Sequence, residues 1–197
     1  MRHSAVLRRS RTRAATPLLL AVIGAGLLGA CSSSEDGSDP APTAATSSAA
    51  APSSPAAAAV EAGLAKHVDG DLAGAGADYR TALQTDPRNV LALYNLGLIA
   101  QTQGAEAEAE KQYRAVLDTD ADYQPAVFNL AILREEADDE AQAEQLYRRA
   151  IALRPGDAGA HLNLGLLLRK TGETVQGDAE VAVALKLNPE LVDPAED

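Results

Sequence analysis

Covalent and metal chemistry needs nucleophiles, ligands or paired acids, and this chain of 197 residues offers few of them. Its one cysteine, Cys31, excludes a disulfide framework, a Cys-ligated zinc site and a CxxC redox pair. The three histidines, His3, His67 and His161, lie far apart in the chain. No Ser-His-Asp set, Cys-His pair, phosphate-cradling glycine loop or metal-ligand spacing occurs. Two acidic clusters have enough charge for calcium or for paired-acid catalysis: Glu106, Glu108 and Glu110, and Glu135, Glu136, Asp138, Asp139 and Glu140. They fall at expected helix ends and starts, where carboxylates complement the dipole of the following helix and face water. No catalytic residue, metal site or cofactor is expected.

Composition narrows the class further. Alanine supplies 42 residues, whereas the aromatics are five Tyr and one Phe with no Trp. Such a chain builds close, Ala-lined helix contacts rather than a large aromatic core. The five charged residues before position 31 are all Arg, so their removal would leave 12 basic against 28 acidic residues, a net of −16. That balance opposes charge-driven binding to nucleic acid or to an anionic membrane surface.

Met1 to Pro17 carries Arg2, Arg8, Arg9, Arg11 and Arg13 without an acid, and the apolar run from Leu18 to Ala30 follows. Thirteen residues at 1.5 Å each reach about 20 Å, short of the roughly 30 Å hydrocarbon core, so an export signal fits better than a spanning helix. The run ends Leu28-Gly29-Ala30-Cys31, which resembles the lipobox of bacterial lipoproteins. The resemblance implies a signal peptide over 1–30 and a Cys31 that is acylated and becomes the mature N-terminus. Two or more acyl chains, at about 0.8 kcal/mol per buried CH₂, would anchor the chain to a membrane on its extracytoplasmic side. From Ser32 to Pro55 no aliphatic residue is larger than Ala, and such a stretch cannot repay the entropy of ordering. Residues 31–55 are therefore expected to be the lipidated Cys with a disordered tether.

From residue 56 the sequence aligns with itself at a period of 34 without gaps, giving units 56–89, 90–123, 124–157 and 158–191, followed by the acidic tail 192–197. Position 8 of the unit reads Gly63, Gly97, Ala131, Gly165, and position 20 reads Ala75, Ala109, Ala143, Gly177. These small residues predict a close approach between two helices, A and B, within each unit. Position 24 (Tyr79, Tyr113, Tyr147, Val181) and position 27 (Ala82, Val116, Ala150, Ala184) share a face of helix B and predict the seam onto the next unit. Position 15 (Gly70, Gly104, Asp138, Gly172) stops helix A, and position 32 (Pro87, Ala121, Pro155, Pro189) stops helix B.

This pattern resembles the tetratricopeptide repeat, most closely at Tyr94-Asn95-Leu96-Gly97 and Leu162-Asn163-Leu164-Gly165. The resemblance implies an all-α, right-handed superhelical array of four helix-turn-helix repeats over 56–191. It departs at repeat 1, where Ala59 and Ala62 stand at large positions and Gly74 and Gly76 fall inside helix B. Each such glycine costs roughly 1 kcal/mol relative to Ala, so repeat 1 is expected to be the loosest unit.

The resemblance also implies a concave face lined by helix A, used to hold an extended peptide or another protein. The residues expected there are Tyr94, Phe128 and Leu162 at position 5, Asn95, Asn129 and Asn163 at position 6, and Leu98, Ile132 and Leu166 at position 9. Amides at position 6 suit either recognition of a peptide backbone or packing within the repeat. The basic clamp that some relatives use for C-terminal carboxylates is missing from positions 2, 5 and 6. His161, at position 4, is expected in the core.

The chain thus reads as a lipid-anchored, non-enzymatic adaptor for a protein or peptide partner at a bacterial membrane. An assembly or pilotin-like role in an envelope complex is a narrower version by analogy, and an enzyme with an unrecognised site is the remote alternative. No solvating helix follows repeat 4, so Val181 and Leu185 are expected to form an outward strip on the C-terminal helix, able to support a weak homodimer.

Overall fold

The computed structural model describes residues 54–193. They form eight helices: α1 (Pro55–Val68), α2 (Leu72–Thr85), α3 (Val90–Thr102), α4 (Glu106–Thr119), α5 (Gln124–Glu136), α6 (Glu140–Leu153), α7 (Ala158–Thr171) and α8 (Thr174–Leu187). No strand occurs among the described residues. The expected signal peptide, Cys31 and most of the tether lie outside them.

Local chemistry starts and stops each helix. Ser54, Asp71, Asn89, Asp139 and Asp157 cap helix N-termini by accepting a backbone N–H three residues on. The turn from helix A to helix B passes through a left-handed residue in every unit: Gly70 (φ 82°), Gly104 (φ 71°), Asp138 (φ 58°) and Gly172 (φ 98°). Asp138 holds this conformation with a side chain, which Asp tolerates better than most residues. Helix B ends at an extended residue in each unit, Asp86, Asp120, Arg154 or Asn188, with φ between −134° and −140°. Proline follows three of these and Ala121 follows Asp120, so the whole repeat, and not proline alone, sets the stop.

Each helix packs on its neighbours along the chain, α1 on α2, α2 on α3, and so to α8. The core is correspondingly a series of clusters strung along the array, as one-dimensional repeat stacking requires. Position 8 is where helices A and B close on each other. A Cβ built on Gly63 would lie 2.6 Å from Tyr79 Cε1, so the tyrosine ring occupies the space that glycine leaves. In repeat 4 backbone is met as well as side chain: a Cβ on Gly165 would lie 2.8 Å from the Gly177 carbonyl oxygen and 2.7 Å from Val181 Cγ2.

That contact corrects one expectation. Val181 is 1% exposed and sits between α7 and α8, so it is no part of an outward strip, and Leu185 is only partly exposed. The apolar residues that α8 and its tail do present are Val175, Val183, Leu187 and Val192. Position 24 faces position 8 of its own repeat whether it holds Tyr or Val, which makes it inward by geometry.

Beyond α8 the chain folds back. Arg169 near the end of α7 grips Asp193 with two parallel bonds, Nη1 to Oδ1 at 2.6 Å and Nη2 to Oδ2 at 2.9 Å, while its Nε donates to Asp178 Oδ1 at 2.7 Å. The residues after α8 therefore lie against the last repeat.

Candidate binding groove

Helix B supplies a buried tyrosine to each of the first three repeats, and each hydroxyl finds position 12 of its own repeat. Tyr79 OH lies 3.4 Å from His67 Nδ1, Tyr113 OH donates to Gln101 Oε1 at 2.8 Å, and Tyr147 OH donates to Glu135 Oε2 at 2.8 Å. Burial, with the Asp78 charge nearby, pushes the Tyr79 hydroxyl up to about 12. Desolvation also raises Tyr113 and Tyr147, the latter helped by the negative charge of Glu135.

The expected inner residues join this network in different ways. Asn129 Nδ2 donates to the hydroxyls of Tyr113, at 3.2 Å, and Tyr94, at 3.3 Å. Asn163 lies with Tyr147 in the lining of one groove. Asn95 instead turns back to its own helix, donating to Leu91 O at 2.8 Å. At position 6 it is Asn129 whose amide ties one repeat to the one before it. Tyr94 is half-buried, with its ring 5.3 Å from that of Tyr123 and 5.9 Å from that of Tyr113. Phe128 packs on Tyr147 at 5.9 Å. Leu98 and Leu162 are half-buried.

One groove gathers three of the expected residues. It lies between α5 and α7, has a volume of about 360 Å³, and is lined by Ile132, Glu135 and Glu136 from α5, Tyr147 from α6, and Asn163, Leu166 and Lys170 from α7. Ile132 and Leu166 give it apolar walls, and the hydrogen-bonded Tyr147–Glu135 pair with Asn163 gives it polar groups. Lys170 Nζ reaches Glu140 Oε1 at 3.3 Å. Sequence reasoning did not count Glu135, Glu136, Tyr147 and Lys170 among the peptide-binding residues. The signal was present in the recurrence of an acceptor or amide at position 12 opposite a tyrosine twelve residues on.

His161 is buried as expected, with Nδ1 2.6 Å from Glu180 Oε2 and Nε2 3.1 Å from Pro155 O. Among the described residues no group of three His, Cys, Asp or Glu is placed to hold a metal ion. No described helix is long and apolar enough to cross a membrane.

The arrangement matches known structures. MamA is 28% identical, with 64% of this chain and 74% of that one covered and a TM-score of 0.59. PilF of Pseudomonas aeruginosa is 25% identical at a TM-score of 0.62, with 69% of this chain and 62% of that one covered. YrrB, described as a TPR protein with an unusual peptide-binding site, is 19% identical with 66% and 68% covered and a TM-score of 0.59, a likeness of fold alone. No curated protein matches the sequence. Residues 63–104 match a family model described as TPR repeat, and residues 90–123 match one described as tetratricopeptide repeat. Over residues 63–123 the chain thus matches tetratricopeptide repeats, and its described residues fold as four helix-turn-helix pairs.

Proposed function

We propose that this protein is a lipid-anchored adaptor that holds an extended segment of a partner protein on the helix A face of its repeats, outside the cytoplasmic membrane of a bacterium. The groove between α5 and α7 carries the reading. It combines apolar walls from Ile132 and Leu166 with oriented polar groups from Asn163 and Glu135, the mixture that seats alternating side chains of a peptide. The Leu28-Gly29-Ala30-Cys31 sequence supports the anchor. Repeat arrays of this kind are interaction modules, and no described constellation supplies a nucleophile with its base.

Two measurements test the proposal. In the producing cell, Cys31→Ala should abolish labelling by a fatty-acid analogue and leave the precursor unprocessed; undiminished labelling removes the anchor. Proteins co-purifying with the full chain should be lost on Leu166→Glu while the thermal unfolding midpoint stays close to that of the wild type. Full retention of the same partners would move the binding surface away from this groove.

A further inference from the structure

The three tyrosines at position 24 provide an internal comparison. Gln101 Oε1 accepts the Tyr113 hydroxyl at 2.8 Å, the same distance at which Glu135 Oε2 accepts that of Tyr147. A neutral amide therefore performs the structural task, and the hydrogen bond does not require a carboxylate. What Glu135 adds is a formal charge, placed in the groove beside Ile132 and Leu166 where the apolar walls weaken screening. Glu136 brings a second negative charge to the same groove. Lys170, which also lines the groove, reaches Glu140 at 3.3 Å. Repeats 1 and 2 differ: Leu64 and Leu91 leave 39% and 49% of their surface exposed, and Gln101 at position 12 is uncharged.

We infer that the groove between α5 and α7 recognises a basic side chain, Lys or Arg, of an extended partner segment whose aliphatic residues lie toward Leu64 and Leu91. A carboxylate has about four acceptor sites, and the Tyr147 hydroxyl uses one of them at Glu135, so acceptor capacity remains for an ammonium or guanidinium group. An acidic side chain in the same place would meet the Glu135 carboxylate. The inference rests on the reading of this face as a peptide groove, and the test below separates the two.

The full chain, as wild type and as Glu135→Gln, is titrated with short synthetic peptides in a Ser/Ala background that carry Leu at one place and Lys, Arg, Glu or Ala at another. Lys and Arg peptides should bind the wild type best. They should lose about tenfold in affinity on Glu135→Gln, in line with a charge-assisted bond, and should weaken as salt is raised. The unfolding midpoint of Glu135→Gln should match the wild type, because Gln replaces Glu here as Gln101 does in repeat 2. Glu peptides binding as well as Lys peptides, or undiminished binding by Glu135→Gln, overturns the inference and leaves a groove without charge preference. Binding of no peptide at all overturns the groove reading as well. Should Glu135→Gln fail to fold, the wild-type preference between Lys and Glu peptides decides alone.

Discussion

Asn129 Nδ2 lies 3.2 Å from the Tyr113 hydroxyl, a buried bond that ties the first helix of repeat 3 to the second helix of repeat 2. The same hydroxyl donates to Gln101, so one tyrosine joins three helices through a single oxygen. An amide that the sequence offers to a ligand is here part of the frame.

Removing that oxygen should therefore cost more than one bond. Tyr113→Phe leaves Gln101 without its partner and Asn129 with Tyr94 alone, and the loss should be about 1–3 kcal/mol of stability in urea unfolding. Tyr79→Phe is the control: its hydroxyl lies 3.4 Å from His67 and Asn95 turns to its own helix, so the change should be smaller. Equal losses at the two sites would show that ring packing, not the hydrogen-bond chain, sets the cost.

The glycines at position 8 make a second comparison. Ala131 already occupies this position opposite Tyr147, so a ring at position 24 can adjust to a methyl group. Gly97→Ala should accordingly stay within about 1 kcal/mol, since Ala also favours the helix. At Gly165 the added Cβ would meet the Gly177 carbonyl at 2.8 Å, and backbone cannot step aside. Gly165→Ala should destabilise by roughly 1–3 kcal/mol, the range for overpacking. A harmless Gly165→Ala would show that α7 and α8 separate easily.

How much of this was legible in the sequence follows from what a period can encode. Position 15 announced its turn, because a left-handed backbone selects Gly or Asp and both appear there in register. The close approach at positions 8 and 20 was equally open, since only small residues fit between crossing helices. Periodicity assigns a residue to a face but does not say which neighbour it meets. Val181 was misplaced for that reason: an unpartnered last helix suggested an outward residue, whereas its packing partner lies within its own repeat. Asn129 was legible as inward-facing, yet its amide bonds to a tyrosine sixteen residues earlier, a relation visible only once two repeats are stacked. The groove charges at Glu135 and Glu136 were read as solvated helix residues because their meeting with Leu166 spans two repeats.

Alkaline titration reads the buried tyrosines directly. All five tyrosines, Tyr79, Tyr94, Tyr113, Tyr123 and Tyr147, are raised above their ordinary 10, with burial the first cause in each. A folded-state value above the unfolded one means that the fold holds the proton. The stabilisation is complete below pH 10 and is lost as pH climbs toward the folded-state values, about 12 for Tyr79. Tyrosinate absorbance should therefore stay low just above pH 10 and rise together with loss of helical circular dichroism. A smooth rise centred at 10 with the helices intact would mean that the hydroxyls are open to water.

The final prediction concerns the end of the array. A terminal repeat has one neighbour, and its outer face needs polar cover. Here the segment after α8 returns to α7, where the Asp193 carboxylate, only 7% exposed, meets Arg169 in a two-point contact. Paired geometry of this kind is stronger than a single surface ion pair. Asp193→Ala should free the segment and raise amide exchange in α8 well above that in α4, while repeats 1 to 3 keep their protection. Val181→Glu should act differently: a charge placed between α7 and α8 has no partner there, so repeat 4 should unfold outright rather than merely exchange faster. If Val181→Glu instead left the helical signal intact, Val181 would have to be reachable by water, against its packing on Gly165.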